Sequence, residues 1–345
     1  MRMRTAILSV CVAALIAGAG AGTANARGAL EKTEIHLAAA GLGFPYLPFM
    51  IASQRGYFKD EGLDVKIGVF SGGSKALEAL LGGSADIVAG AYSNTITMAA
   101  KGQNLVSFAV QANCPDLVFG TTKAGKETIA SVADLRGKRV GVSAPGSSFH
   151  MVVNYLLSKA GLSSKDVSII GVGASSGAVA AARAGQIDAL MINDPVATML
   201  EDSGDLFALA EMRSEDGNRA AFGGDYTEAS VYATRSFVEK NPNTVQAMAN
   251  AIVRAERWMV QATPEDVSAS VPPDYFVSDK ALFVKAYSKL GRCLSTDGVM
   301  TLDAAKRVFD VLAAFDPNVA SAKIDLSATF DNRFVQAVAQ KVAKP

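Results

Sequence analysis

Ala144-Pro145-Gly146-Ser147-Ser148 is the stretch of this sequence best suited to chemistry. It separates a run that reads as a strand, residues 138–143, from one that reads as a helix, residues 147–160. Ser147 is placed to cap that helix, and the first free N–H groups then point outward. Together with the positive end of the helix dipole they suit a carboxylate, sulfonate or phosphate. His150 lies about one turn further in. It either reaches the same space or sits as a satisfied core histidine. Three other spacings look catalytic and do not carry through. Gly173-Ala174-Ser175-Ser176-Gly177 matches G-x-S-x-G between a strand and a helix. A hydrolase elbow needs its acid and histidine later in the chain, and both histidines, His36 and His150, come earlier. Gly120 to Lys126 spells G-x-x-x-x-G-K, but Glu127 stands where Ser or Thr must hold magnesium. Gly171-Val172-Gly173 opens a dinucleotide pattern, yet Ser176 replaces the third glycine and no matching acidic residue follows. No cluster of His, Cys or carboxylates has metal-ligand spacing. The sequence predicts no catalytic residue, no metal and no cofactor.

A repeated unit positions these loops. Residues 61–91 and 160–194 are two copies of it: Asp64 falls on Asp166, Val65 on Val167, Ile67 on Ile169, Gly83 on Gly185 and Asp86 on Asp188. In the first half, strands are expected at 32–40, 64–70 and 86–91, with helices at 47–58, 74–81 and 94–101. A long extended stretch follows at 106–121, then a charged surface segment at 123–138. The pattern restarts with strands at 138–143, 167–172 and 187–192 and helices at 147–160 and 175–184. Strands alternating with helices over short connections predict an α/β fold of mostly parallel sheets covered by helices. From about Val231 a strand at 231–234 is followed by mainly helical sequence, including 242–260 and 301–314. Trp258 is expected to pack in a helix interface there. Open sheets of this kind bind ligands at the carboxyl ends of their strands. Those positions are 41–46, 71–74 and 91–95 in one half and 144–148, 173–176 and 193–196 in the other. Each loop also works as a plain turn or cap. Their equivalence in two facing halves favours a ligand in a cleft between lobes.

Composition narrows the setting. Half of the 345 residues are apolar and 19% are charged, an ordinary globular balance with room for two lobes. Arg2 and Arg4, an apolar run from Ala6 to Ala17 and Ala24-Asn25-Ala26 have the layout of a secretory signal spanning residues 1–26. The apolar run is short for a membrane span, and Cys11 lies within it, which argues against lipid attachment. The remaining chain carries a net charge of about −2 with no basic stripe, so neither nucleic acid nor anionic membrane is an expected partner. Cys114 and Cys293 remain, and an oxidising compartment permits them to pair or to stay as buried thiols.

Several runs carry a family resemblance. Asp134-Leu135-Arg136-Gly137-Lys138-Arg139-Val140-Gly141-Val142 followed by Gly146-Ser147-Ser148-Phe149-His150 resembles the DLKGKKVGV…GSxxH segment of ABC-importer solute-binding proteins of the nitrate, sulfonate, taurine and thiamine-precursor type. Residues 55–63, Arg-Gly-Tyr-Phe-Lys-Asp-Glu-Gly-Leu, resemble their GYFxxEGLDV signature. Gly185-Gln186-Ile187-Asp188-Ala189 with Asp194-Pro195, and Lys240-Asn241-Pro242, resemble two further segments. The resemblance implies a two-lobed periplasmic binding protein fold of type II. Lobe one would comprise 27–116 and 231–345, with the C-terminal helices packed on it, and lobe two 117–230. It implies an exported, monomeric, non-enzymatic receptor that delivers a small solute to an inner-membrane ABC permease. By position it implies ligand contacts from Ser71, Gly72, Tyr92, Ser93, Gly146, Ser147, Ser148 and Asp194. Phe44 and Tyr46 either cover an organic group or pack beneath their loop. The cleft loops lack an obvious Arg or Lys, which disfavours a fully ionic small anion. The expected solute is an organic anion such as a sulfonate or an aromatic carboxylate. Asp194 could instead accept an amine or hydroxyl. The rival expectations are a pyrimidine-related enzyme using His150 and Cys114, and a sensor read by a signalling partner.

Overall fold

The computed structural model describes residues 28–290 and 293–342; the leader expected at 1–26 lies outside them. Ten strands form two five-stranded sheets. The first contains β1 (Glu34–Ala39), β2 (Asp64–Val69), β3 (Ile87–Ala91), β4 (Leu105–Val110) and β10 (Ala229–Thr234), in the order β2-β1-β3-β10-β4. The second contains β5 (Leu117–Thr122), β6 (Arg139–Val142), β7 (Ser168–Gly171), β8 (Ala189–Asn193) and β9 (Leu206–Met212), in the order β7-β6-β8-β5-β9. The two orders match place for place. In each sheet one strand runs against the rest: β10 is antiparallel to β3 and β4, and β5 to β8 and β9.

The internal repeat has a physical counterpart in each lobe. Asp86 accepts the backbone N–H of His36 at 2.9 Å and pairs with Lys32. Asp188 accepts the backbone N–H of Arg139 at 2.8 Å and pairs with that residue's own side chain. Each carboxylate fastens the start of the third strand of its unit to the first. Gly83 and Gly185, also equivalent, both take left-handed φ values (77° and 65°), where a side chain would be strained.

The long extended stretch expected at 106–121 is two strands. β4 ends at Val110 and β5 begins at Leu117, in different sheets, so residues 111–116 cross between lobes. The chain crosses back before β10, which begins at Ala229 rather than Val231. The two crossings run side by side: Tyr226 N–H donates to Asn113 O at 3.1 Å and Glu228 N–H to Ala112 O at 3.1 Å. Apolar periodicity detects an extended run but not the point where it changes sheets, because both halves are equally buried.

The C-terminal helices tie both lobes. The Pro242–Gln261 helix packs on the Leu47–Gln54 helix and β4 of the first lobe, with the Arg55 guanidinium 4.1 Å from the centre of the Trp258 ring. The Lys280–Tyr287 helix stacks Phe283 edge-on against Phe44 at 5.0 Å, while Lys285 pairs with Asp202 of the second lobe. The Leu302–Ala313 helix lies between the Ser93–Ala100 and Ser148–Lys159 helices, one from each lobe. Cys114, in the crossing, is bonded to Cys293, with Cα atoms 5.0 Å apart. That bond closes a loop across 179 positions of sequence. Replacing both cysteines by alanine is expected to cost about 2–5 kcal/mol, read as a lower midpoint in urea denaturation. An unchanged midpoint would show that the crossing is held by its backbone pairing alone.

Candidate inter-lobe binding site

The carboxyl ends of the parallel strands in one sheet face those in the other. Gly43, after β1, lies so close to Asn193, at the end of β8, that a Cβ on Gly43 would stand 1.7 Å from Asn193 Nδ2. A Cβ on Gly72, after β2, would meet Ala144 Cβ of the second lobe at 3.0 Å. Ser74 Oγ donates across the gap to the carbonyl of Pro145 at 3.2 Å. Glycine is used here because the loops must approach one another, as the sequence suggested.

A cavity of about 140 Å³ lies between these loops. Residues 41–43 and 69–71 line it from the first lobe, 173–175 and 193–196 from the second, and Asp274, Tyr275 and Val277 from the C-terminal segment. Of the expected contacts, Ser71 and Asp194 line it. Asp194 is engaged elsewhere: its Oδ1 accepts the Thr198 N–H at 2.8 Å and its Oδ2 faces Arg213 Nη1 at 3.4 Å. Burial raises its pKa, and Arg213 and Thr198 pull against that rise. Arg213 is itself buried and also bonds Glu201 and Glu211. No lysine or arginine lines the cavity among the described residues.

The Ala144–Ser148 turn is built as its sequence implied. Ser147 caps the helix, accepting the His150 N–H at 3.4 Å and a hydrogen bond from Ser143 Oγ at 2.9 Å. Gly146 adopts φ 79°, which favours glycine, and its N–H donates to His150 Nδ1 at 2.9 Å. His150 therefore holds the turn in shape. Burial lowers its pKa, consistent with an unprotonated accepting Nδ1.

The remaining expected residues divide. Tyr46 and Ser148 converge on Glu228, a residue that sequence reasoning missed. Glu228 immediately precedes β10, and its carbonyl accepts the Tyr92 N–H at 2.7 Å, which places it at the carboxyl end of β3, on the cleft rim. Ser93 is buried there and its hydroxyl has no partner. Phe44 is fully buried against Phe283 and Tyr287, beneath its loop. The Tyr92 side chain runs into the C-terminal segment, where its hydroxyl meets Thr329 at 2.5 Å. Tyr275, also missed, lines the cavity with an unpartnered hydroxyl. A signal for Glu228 was present: a lone acid directly before Ala-Ser-Val-Tyr-Ala, a run whose apolar character demands burial.

No helix among the described residues is long and apolar enough to cross a membrane, and no group of three or more His, Cys, Asp or Glu there is placed to hold a metal. Two mixed sheets with facing loop ends and a shared cavity give the two-lobed fold of periplasmic binding proteins. The chain belongs to the NMT1/THI5-like family, whose model matches residues 44–266. It is 44% identical to a structurally characterised protein of Bordetella bronchiseptica RB50, with a TM-score of 0.89 over 91% of this chain and 99% of that one. It is 30% identical over 257 residues to a protein of Brucella abortus (strain 2308) named as a candidate binding protein, covering 73% of this chain and 74% of the relative. The alkanesulfonate-binding protein SsuA of Xanthomonas axonopodis pv. citri, bound to MOPS, superposes with a TM-score of 0.70 at 19% identity over 88% of this chain and all of that one, which shows a shared fold.

Proposed function

We propose that this protein is the exported solute-binding component of an ABC importer. It captures a small organic solute between its lobes, closes on it by bending at the two crossings, and presents it to an inner-membrane permease as a monomer. Lobe one is built on residues 28–116 and the chain from Ala229 onward, and lobe two on 117–228. The observation that carries this reading is the meeting of equivalent loops from two homologous lobes, glycine against side chain, around one cavity. Closure is favoured when a ligand contacts both lobes at once, since only the closed form offers both sets of contacts. The names of the Brucella relative and of SsuA point the same way. The enzyme reading loses its nucleophile, because Cys114 is bonded to Cys293, and its base, because His150 Nδ1 holds Gly146.

The test is a melting-temperature screen against sulfonates, aromatic acids, amines and pyrimidines, followed by solution scattering. A true solute at a hundredfold excess over its Kd adds about 2.7 kcal/mol. It is expected to raise the melting temperature by several degrees and reduce the radius of gyration. A solute that binds without compaction, or that is converted to product in mass spectrometry, would overturn the reading.

A further inference from the structure

The residues converging on Glu228 have a chemistry of their own. Glu228 is 2% exposed, and neither carboxylate oxygen completes a hydrogen bond. Near it is the hydroxyl of Tyr226, which is fully buried and unpartnered. Ser93, whose hydroxyl is likewise buried and unpartnered, follows Tyr92, whose N–H donates to the Glu228 carbonyl. Tyr46 approaches from the loop after β1, and Ser148 from the first turn of the second lobe's Ser148–Lys159 helix. Tyr232 faces it from β10, with its own hydroxyl taken by Asn94 at 2.9 Å. The Ser148 hydroxyl approaches the carboxyl group without completing a hydrogen bond, and no lysine or arginine among the described residues pairs with it. An unpaired carboxylate buried this deeply is expensive, and native structures leave few such groups without a purpose. It serves no structural pairing, yet it sits where both lobes meet.

We propose that Glu228 is the counter-charge for the ligand, and that with Tyr226, Ser93 and Tyr46 it receives the protonated nitrogen head of an organic cation, an amine or an amidine. This rests on the receptor reading above and names its solute class. The cluster supplies acceptors, which a group carrying several N–H donors requires. It is rich in tyrosine, whose rings attract a cation, although one face of Tyr226 is already stacked on Phe222 at 4.3 Å. An anion in the same place would meet an unpaired carboxylate, and the separate cavity between the loops carries no lysine or arginine among the described residues either. The arrangement also makes closure conditional. Shutting the empty cleft buries the bare carboxyl group and pushes its pKa up to about 7. A cation entering with its own charge removes that penalty.

The experiment is calorimetry at pH 8 on the purified protein with benzylamine and benzamidine on one side and benzoate and benzenesulfonate on the other. It is repeated with Glu228→Gln, with scattering on each mixture. The expected result is heat and compaction with a cationic probe only, and a loss of at least 100-fold in affinity in Glu228→Gln at an unchanged or higher melting temperature. At pH 6 cation binding should also release a proton in the native protein and none in the variant. Tyr46, Tyr226 and Tyr232 stay neutral there, each held up by burial, and do not contribute to that release. Binding and compaction with an anionic probe, unaffected by Glu228→Gln, would overturn the cation assignment and leave the receptor reading standing. A Glu228→Gln protein that melts well below the native one would show the carboxylate to be structural and also end the assignment. No compaction with any probe of either charge would count against both.

Discussion

Gly72→Val is expected to abolish solute binding, with an affinity loss of more than 100-fold, while the protein still melts within a few degrees of the native temperature. The backbone at Gly72 is extended, with φ 167° and ψ 162°, a conformation open to any residue. The cost arises instead where the lobes touch. The first added carbon would stand 3.0 Å from Ala144 Cβ and 3.5 Å from the Ala144 backbone nitrogen, and valine adds two more carbons beyond it. Ala144 Cβ is fixed to its backbone and cannot rotate away, so the gap must stay wider. Gly43→Val provides a second wedge on ordinary backbone (φ −71°, ψ 162°), aimed at Asn193. Ligands that need both lobes at once lose the contacts of one lobe. Calorimetry with the solute identified by the melting screen checks this, and native-like affinity in both variants would show that the site does not require closure.

Arg213→Ala should give the largest loss of stability, about 3–5 kcal/mol, because it leaves buried carboxylates without their cation. Arg213 bonds Glu201, Glu211 and Asp194, and its charge also offsets the burial of Asp116, which is fully enclosed. Burial costs Arg213 itself, but its hydrogen bonds to Glu211 and Glu201 and the charge of Asp194 outweigh this and raise its pKa. The pH dependence follows in sign. Asp194 already has a raised pKa when folded, so its contribution favours the folded state at low pH and falls as pH rises above the unfolded carboxylate value. Without Arg213 that pKa climbs further. The variant's deficit should therefore be larger at pH 8 than at pH 5, measured by urea denaturation at both. An equal deficit at the two pH values would locate the loss in packing of the arginine stem instead.

The paired lobes were legible in the sequence because the repeat is made of residues with fixed structural duties. Asp86 and Asp188 each latch a neighbouring strand, and Gly83 and Gly185 each occupy a left-handed turn. Such duties survive as residue identity at constant spacing. The facing loops were legible for the same reason, since glycine at 43, 72 and 146 serves close approach or a left-handed turn. Glu228 was legible only as an acid before an apolar run, not as a member of the cleft. It lies on neither repeat copy, and it reaches the cleft only because β10 returns from the second lobe to pair with β3. Nor did spacing foretell that the Tyr92 side chain would leave the cleft for Thr329, or that Phe44 would meet Phe283, since both partners lie over two hundred positions away in a segment whose packing no local pattern encodes. The cysteine pair sits between these cases. An even count allowed the bond, and the nearness of Cys114 to Cys293 comes from the tertiary fold.

Two homologous lobes that shut their glycine- and serine-bearing loops on a solute are the heart of this account. The most direct check is the distance between spin labels on Lys66→Cys, on the edge strand of the first lobe, and Lys165→Cys, on the second, both exposed. Cys114 and Cys293 are bonded to each other and Cys11 belongs to the expected leader, so in the exported form these two thiols are free to label. Saturating solute should shorten and narrow the distance distribution in the native background and leave it unchanged in Gly72→Val. The same distribution with and without bound solute in the native background would contradict the account.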